Sequence, residues 1–439
     1  MNLFRFKKRI KKKKAAVIIQ ENPEECIKII ETNFPKNIFK ESVTDISYNG
    51  LSFYAQDNDI GRHKLDIKMS SDEVLTFIRK IANYMLQPFS MSNPSLDVSF
   101  GDYRLNAIHP SLARTNNHKV VTFSLRKITA TLKIKENDIT LAPYMVHIFL
   151  KALMRSYQSV LISGQTGSGK TEFQKYLISL MNNQDRIILI EESYETHIKE
   201  IYKDMDITSW IVNNSRDELS SLVRLSLRNN PDWVIIAETR GIEAYDMIQA
   251  VMTGHSAITT IHSESAKYSI DRISSMCKKN IDFDEQMMLS NIAKHIKVGI
   301  HLEKKFDQNK GKFIRRISEI VEYIPTENGY DVNTLFKIEK NENLQERYIY
   351  NCISKNLKEV FIKNDIPLRT LDRFVREGKK YENKKTQWYS NFIIRILRWH
   401  ACCLVYPWFH NFWRPLWNGC SIRNHVYFKE KKEKRWNVS

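Results

Sequence analysis

One glycine-rich stretch has the residue types and spacing of a phosphate-binding loop. Gly164, Gly169, Lys170 and Thr171 satisfy the pattern G-x-x-x-x-G-K-[ST], in which backbone N–H groups surround phosphate oxygens. The Lys170 ammonium can lie on the β- and γ-phosphates, and the Thr171 hydroxyl can bind Mg²⁺. We therefore predict that ATP and Mg²⁺ bind here. The predicted nucleotide-binding residues of this segment are consecutive: Gly164, Gln165, Thr166, Gly167, Ser168, Gly169, Lys170, Thr171 and Glu172.

The surroundings of the loop favour a nucleotide site over the alternative, a plain glycine-rich turn. Ser159 to Ser163 is an apolar run typical of a strand. After Glu172 the apolar residues recur at helical spacing, as Phe173, Tyr176, Leu177, Leu180 and Met181. A phosphate loop needs this order of strand, loop and helix, because the helix directs its positive end at the anion.

A carboxylate suited to activating water follows a second apolar strand. The segment DWVIIAETRG, from Asp232 to Gly241, delivers Glu238 at the end of that strand. Nucleotide hydrolysis needs such a carboxylate beside the metal ion. Because Ala237 precedes it in place of a second acid, we predict that Glu238 is catalytic together with Lys170, and that the metal is bound by Thr171 and other acids.

A second acidic cluster follows another apolar strand, which ends at Ile190. It contains Glu191, Glu192 and Glu195. Acids at strand ends are often solvated loop residues, but two such clusters downstream of a phosphate loop favour a common site. We predict that Glu191 and Glu192 bind Mg²⁺ and that Glu192 also takes part in catalysis.

Two histidines lie in a segment rich in glycine and threonine. His255 follows Thr253-Gly254, and His262 follows a short strand that contains Thr260. A single histidine is more often structural than catalytic. The pair is interpreted as sensors of the γ-phosphate, with His255 in nucleotide binding and His262 in catalysis.

The positive charge of the chain is concentrated at its two ends. The 439 residues carry a formal net charge of +18, with 42% hydrophobic and 27% charged residues, as in a soluble globular protein. Residues 1–14 hold eight basic residues and no acid, and residues 384–439 hold eleven basic residues against two acids. The body is therefore close to neutral, which argues against a DNA track and predicts no direct nucleic-acid binding.

Cysteine content and the start of the chain predict a cytoplasmic protein. The six cysteines are too sparse and irregular for a disulfide framework. Only Ala15 to Ile19 forms an apolar run after the basic arm, whereas the apolar part of a signal peptide needs about 7 to 15 residues.

Composition and periodicity divide the chain into six segments. The N-terminal domain is predicted to hold a hairpin at Asn49-Gly50 and a helix capped by Ser70 and Glu73. The ATPase domain alternates strands and helices, which predicts an α/β fold with a parallel-rich sheet. The predicted segments are a basic arm (1–14), a mixed α/β N-terminal domain (15–132), a linker (133–142), a P-loop ATPase domain (143–345), a polar helical segment (346–387) and an aromatic, basic tail (388–439). The predicted strands of the ATPase domain are 159–163, 187–190, 234–237, 257–261 and 298–302.

Four motifs in order resemble the ATPases of the type II and type IV secretion superfamily, which includes conjugation and Tad-pilus motors. GQTGSGKT at 164–171 is similar to their phosphate loop, and IEESYE at 190–195 to their acidic box. LVRLSLRNNPDWVIIAETRG at 222–241 resembles their Walker B segment, and TGHSAITTIHS at 253–263 resembles their histidine box. Glu192 and Ser193 stand where the family usually has Asp-Thr, and nothing after about residue 345 resembles the family.

The resemblance implies a RecA-like ATPase domain and a motor function. YRLNAIHP and VVTFSLRKI are similar to family segments that supply arginines to the nucleotide, which nominates Arg104 and Arg126 as catalytic residues. It further implies a homohexamer with nucleotide between its two domains. The expected partners are integral membrane components of a secretion, conjugation or pilus machine, at the cytoplasmic face of the inner membrane.

The C-terminal tail is rich in tryptophan and arginine. Such a segment suits an anionic membrane surface, or else forms a helix packed on its own or a neighbouring subunit. Its longest uncharged run, Trp399 to Trp413, contains Pro407 and is shorter than the roughly 20 residues of a spanning helix. A zinc site is disfavoured, because the spacing of its histidines and cysteines fits no recurring ligand pattern.

Two other classes of function remain open from the sequence. A nucleic-acid translocase or helicase would also use a phosphate loop, and basic tails suit such a protein. A non-hydrolysing scaffold would bind nucleotide only to assemble. Phosphate release separates the scaffold from a motor, and salt-dependent DNA binding without the tails would favour the translocase.

Overall fold

The computed structural model describes residues 20–375, except 41, 129, 213–215, 279–283 and 309. The basic arm and the aromatic tail, with their predicted membrane contact and the zinc alternative, lie outside the described residues. Apart from Glu339–Tyr348, the described residues belong to one compact unit. Among the helices of residues 20–375 that the structure describes, none is both long and apolar enough to cross a membrane.

The N-terminal part combines two helices with an antiparallel sheet of six strands, in the order β3-β2-β1-β8-β5-β4. Strands β6 and β7 form a separate two-stranded ribbon. The elements are α1 (Pro23–Asn33), β1 (Val43–Tyr48), β2 (Phe53–Asp57), β3 (Gly61–Leu65), α2 (Ser71–Tyr84), β4 (Ser95–Phe100), β5 (Tyr103–Ile108), β6 (Arg114–Thr115), β7 (His118–Lys119) and β8 (Thr122–Lys127).

Two short sequence motifs in this part have the structure predicted for them. Ser70 caps α2, with Glu73 returning a hydrogen bond to the backbone of Ser70, so the predicted capping box is confirmed. The hairpin at Asn49-Gly50 is also confirmed, since β1 and β2 pair antiparallel on either side of it. Gly50 has a φ of +93°, a conformation that favours glycine.

Aromatic residues fill the core between this sheet and its helices. Phe34 from the end of α1 packs edge-on against Phe53 and Phe77, and Phe123 packs against the same rings. Because side chains alternate along a strand, the opposite face of β5 and β8 presents polar residues. Arg104 and Arg126 lie on that face.

The rest of the chain builds a nine-stranded sheet in the order β11-β10-β12-β13-β9-β14-β15-β16-β17. Six neighbouring strands run parallel to one another: β11, β10, β12, β13, β9 and β14. Strand β15 is antiparallel to both of its neighbours, β14 and β16. The elements are α3 (Tyr144–Arg155), β9 (Val160–Gly164), α4 (Lys170–Ser179), β10 (Arg186–Glu191), α5 (Ile198–Ile201), β11 (Asp206–Ile211), α6 (Arg216–Ser226), β12 (Trp233–Ile236), α7 (Glu243–Met252), β13 (Ser256–Ile261), α8 (Ser269–Cys277), α9 (Glu285–His295), β14 (Val298–Asp307), β15 (Lys312–Thr326), β16 (Gly329–Lys340), β17 (Glu346–Tyr350), α10 (Lys355–Lys363) and α11 (Asp372–Val375).

All five strands predicted for the ATPase domain are present, within a residue of their expected starts. The predicted α/β fold with a parallel-rich sheet, preceded by a smaller α/β domain, is confirmed. The antiparallel strands β15 and β16, with β11 and β17 at the two edges, extend this sheet beyond the predicted set. The segment 346–387, predicted to be helical, begins instead with strand β17.

The described residues after β17 complete the core around α3. The ring of Phe149 in α3 stacks on Phe374 at 4.6 Å between centroids and meets Phe361 edge-on at 6.1 Å. Ile353 and Leu357 are also buried. The described part of this segment therefore contributes side chains to the hydrophobic core, although the sequence predicts it to be polar.

Candidate nucleotide site

The phosphate loop joins the end of β9 to the start of α4. A Cβ added to Gly164 would lie 2.6 Å from the carbonyl oxygen of Leu302, so only glycine fits beside β14. Gly169, the residue before α4, has a φ of +93°, where other residues would be strained. The loop therefore depends on its glycines for its shape.

Lys170 directs its ammonium into this loop. Its Nζ donates to the carbonyl oxygen of Gly164 at 2.9 Å and lies 3.4 Å from His262 Nδ1. The residue is 8% exposed, and burial lowers the pKa of the Lys170 amine, although the charge of Glu238 opposes this. The lysine is thus held at the loop with little solvent around it.

Glu238 lies close to His262 and Arg240. Arg240 Nη2 donates to Glu238 Oε2 at 2.6 Å, and His262 Nε2 lies 2.9 Å from Glu238 Oε1. Burial opposes ionisation of Glu238, but the hydrogen bond and charge of Arg240, with the charges of His262 and Lys170, outweigh it and lower the pKa. The structure therefore places Lys170, His262 and Glu238 side by side, with Glu238 ionised.

Arg240 connects the two acidic clusters, a role that the sequence analysis misses. Its Nη1 donates to Glu192 Oε2 at 3.1 Å, while its Nη2 holds Glu238. The two acids meet because β10 and β12 are neighbouring parallel strands, with Ile190 opposite Ile236. The spacing of Arg240 and Glu238 does indicate their contact. Arg240 follows Glu238 by two residues, and side chains two residues apart lie on the same side of an extended chain.

Glu191 is buried inside its own loop, unlike Glu192. It is 1% exposed and accepts hydrogen bonds from the backbone of Glu195 and from the backbone and hydroxyl of Thr196. Burial raises the pKa of Glu191 even though these hydrogen bonds oppose the rise. Its carboxylate is occupied in shaping residues 191–196, whereas Glu192 is partly exposed at the sheet edge.

Arg104 and Arg126 reach the acidic loop from the N-terminal part. They lie opposite each other on β5 and β8. Arg104 Nη1 donates to Ser193 Oγ at 2.6 Å and to Glu195 Oε1 at 2.7 Å. Arg126 Nη1 lies 4.0 Å from Glu195 Oε2, and its Nε donates to Asp45 at 2.8 Å. Both nominated arginines therefore converge on Glu195.

His255 lies away from these residues, at the opposite end of the central strand β13. It immediately precedes β13, whereas His262 immediately follows it. A six-residue strand separates the two histidines by about 20 Å, so both cannot reach one phosphate group within this chain. His255 contacts Thr253 Oγ1 at 3.1 Å and lines an open cavity of about 480 Å³ with Tyr157 and Asp232. Within this chain the structure therefore does not bring His255 and His262 together, and the predicted role of His255 stays a prediction.

Glu172 faces the linker. Its Oε2 accepts from the backbone N–H of Lys133 at 3.3 Å, and its Oε1 accepts from Lys175 Nζ at 3.1 Å. Oε2 thus ties the linker to α4, while Oε1 bonds within α4 itself. Both contacts differ from the nucleotide contact expected for this residue.

The loop fits a phosphate group on two observations. Ser168 Oγ is buried and, among the described residues, has no hydrogen-bond partner. The glycines leave the space beside it free of Cβ atoms, so that backbone N–H groups line the turn. Thr171 at the start of α4 and Glu192 after β10 have oxygen atoms of the kind that Mg²⁺ prefers. Strands β12 and β13 lie between β10 and β9 in the sheet.

The fold and the phosphate loop define a P-loop nucleoside triphosphatase with a RecA-like ATPase domain. Residues 101–327 match the family described as type II/IV secretion system protein. An uncharacterised protein of Bacillus anthracis is 34% identical over 307 residues, which cover 67% of this chain and 68% of that protein.

Two further comparisons show a similarity, one in sequence and one in fold. The type IV secretion system protein PtlH of Bordetella pertussis is 32% identical over 136 residues, covering 30% of this chain and 40% of PtlH. The crystal structure of the ATPase DotB of Yersinia pseudotuberculosis has a similar fold, with a TM-score of 0.50 and 14% identity over 64% of this chain and 75% of DotB.

The chain belongs to the type II/IV secretion system protein family. The predicted resemblance is confirmed, and with it the assignment as a secretion ATPase that uses nucleotide.

Proposed function

We propose that this protein is the ATP-hydrolysing motor of a membrane-embedded secretion machine. It would work as a homohexamer with Mg²⁺ and ATP at the phosphate loop. The observation that carries the proposal is the contact of Arg104 with Ser193 and Glu195, because it ties the acidic loop beside the nucleotide site to the sheet of the N-terminal part. A change at the site can thereby move the N-terminal domain.

The residues of the site divide the work of hydrolysis. Backbone N–H groups of the loop and the Lys170 ammonium would bind the phosphates. The Thr171 hydroxyl would hold the metal ion, and Glu192 is proposed as the acid that assists it. Mg²⁺ would neutralise charge on the β- and γ-phosphates. Glu238, which its lowered pKa keeps ionised at neutral pH, orients the attacking water and accepts its proton. His262 lies between Lys170 and Glu238 and orients both.

Arg240 restrains Glu238 in the arrangement described here. It holds the Glu238 carboxylate at 2.6 Å and the Glu192 carboxylate at 3.1 Å. A carboxylate that accepts from a guanidinium is a weaker base, because the charged form is stabilised. We infer that Arg240 moves from Glu238 when nucleotide binds, which frees the base.

The partners follow from the same proposal. The name of PtlH describes it as a type IV secretion system protein. We propose integral membrane components of such a machine as partners, with the ring on the cytoplasmic face of the inner membrane. The N-terminal domain (15–132) and the ATPase domain (143–345) would be its two moving bodies, and no direct nucleic-acid contact is proposed.

Native mass spectrometry of the Glu238→Gln protein with ATP tests the ring. The variant keeps the phosphate loop intact and should hold ATP without turning it over. We expect a particle of about six times the 51.9 kDa of one chain. A monomer under all nucleotide conditions, with ATP bound, would overturn the hexameric motor.

A further inference from the structure

Arg315 joins the phosphate loop to a turn of the N-terminal domain. Its Nε donates to the carbonyl oxygen of Gly167 at 2.8 Å. Its Nη2 donates to Asn58 Oδ1 at 2.7 Å, and its Nη1 to the carbonyl oxygen of Asn58 at 3.2 Å. One guanidinium thus bonds the loop on one side and the turn between β2 and β3 on the other.

The hairpin that carries Arg315 is packed closely against that turn. The backbone N–H of Phe313 donates to the carbonyl oxygen of Asp59 at 2.8 Å. A Cβ added to Gly61 would lie 2.9 Å from the Phe313 ring, so there is no spare room at this contact. The ring of Phe313 is held in turn by Phe306, at 5.2 Å between centroids.

The turn itself is stiff because of Asp57. The Asp57 carboxylate accepts from the backbone of Asp59 at 2.7 Å, from the backbone of Ile60 at 3.2 Å and from Ser42 Oγ at 2.8 Å. Burial opposes ionisation of Asp57, but these hydrogen bonds outweigh it and lower the pKa. A turn tied in this way moves as one piece when Arg315 pulls on it.

The phosphate loop is the part expected to change with nucleotide. The backbone N–H of Ser168 donates to the carbonyl oxygen of Gln165 at 3.2 Å, and a bound phosphate would compete for this N–H. The peptide between Gly167 and Ser168 then reorients, and Arg315 holds the carbonyl oxygen of that peptide. A hydrogen bond to a charged group is stronger than one between neutral groups, so a movement of the loop can displace the Arg315 side chain.

We propose that Arg315 is a positioning residue that couples the phosphate loop to the Asn58 turn, so that nucleotide binding is transmitted to the N-terminal domain. This route is separate from the Arg104 contact, since it starts at the loop rather than at the acidic box. The inference rests on the proposed nucleotide cycle.

Hydrogen–deuterium exchange of the amides at 58–61, with and without a non-hydrolysable ATP analogue and Mg²⁺, tests this coupling. In the native protein we expect the analogue to change exchange in the turn. In Arg315→Gln that response should be lost, although the analogue at saturation still protects the phosphate loop. Asn58→Ala, which removes only the acceptor side chain on the turn, should also weaken the response.

Two further variants are controls, one for the charge of Arg315 and one for a substitution elsewhere on the same hairpin. Arg315→Lys keeps the charge, but an ammonium lacks the fork that holds both partners. Compared with Arg315→Gln, it should therefore recover nucleotide affinity more fully than it recovers the exchange response of the turn. We expect Arg315→Gln to raise the nucleotide Kd about tenfold, because it removes a positive charge beside the loop that binds phosphate. Lys312→Gln, exposed on the same hairpin, should leave Kd and the response unchanged.

The outcomes separate this inference from the proposed function. If the native protein neither binds nor hydrolyses ATP, the proposed function fails. If it does both, and the turn responds equally in the native protein and in Arg315→Gln, then the coupling through Arg315 is wrong. Native nucleotide affinity and turnover in Arg315→Gln would likewise overturn it.

Discussion

Arg104 and Glu195 form an ion pair of 2.7 Å between the N-terminal sheet and the acidic loop of the ATPase domain. The side chains remain 30% and 27% exposed, so solvent screens the pair. A half-exposed pair of this kind contributes at most about 1 kcal/mol to stability. The pair is therefore better suited to forming and breaking during a nucleotide cycle than to holding the fold together.

Replacing Arg104 should affect turnover more than stability. We expect Arg104→Ala to slow ATP hydrolysis about tenfold, while the free energy of unfolding falls by less than about 1 kcal/mol. Steady-state phosphate release and urea unfolding measure the two effects. Arg62→Ala is the matched control, because Arg62 bonds Ser47 and lies over Tyr54 within the same sheet. Equal slowing by both variants would show that Arg104 has no special role.

The ionisation of Glu238 should make its contribution to stability depend on pH. The folded-state pKa lies below the ordinary 4.5, so the unfolded chain binds the proton more readily. Stability from the Glu238 contacts is then fully present above about pH 4.5 and is lost as the pH falls through the folded-state pKa. The native protein should exceed Glu238→Gln in unfolding free energy by more at neutral pH than in acid. Urea unfolding of both proteins across that range measures the difference, and a difference that grows on acidification would contradict the assignment.

The described residues after β17 should be needed for folding. Phe361 is fully buried against Phe149, so Phe361→Ala should cost about 3–5 kcal/mol through lost burial and the cavity left behind. Its neighbour Ile362 is 59% exposed on the same helix, and Ile362→Ala should change stability by less than about 0.5 kcal/mol. Denaturant unfolding compares the two. Similar, small losses would mean that this segment does not complete the core.

Residue spacing predicts the parts of this protein that depend on local patterns. The phosphate loop, the position of Glu238 at a strand end and the capped helix at Ser70 all follow from short motifs with a defined geometry. The predicted strands do so as well, because a run of apolar residues marks a strand buried on both faces.

Contacts between distant segments were not accessible from the sequence. The pattern does not say that Arg240 bridges two acids, or that Arg315 reaches the phosphate loop, because these contacts depend on how separate strands align. Neighbouring residues of a strand face opposite sides, which is why Glu191 is buried while Glu192 is exposed. His255 and His262 are close in sequence but lie at the two ends of β13, a separation that follows only once the strand between them is known.

Phosphate release by the native protein and by Glu238→Gln, at matched nucleotide occupancy, tests the central assignment most directly. Binding of a fluorescent ATP analogue fixes the occupancy, and Lys170→Ala, which should lose binding and turnover alike, is the reference for a disabled loop. The account predicts that Glu238→Gln binds ATP as the native protein does and releases phosphate at least about a hundredfold more slowly. Turnover by Glu238→Gln at the native rate would contradict the catalytic role of Glu238 and the mechanism built on it.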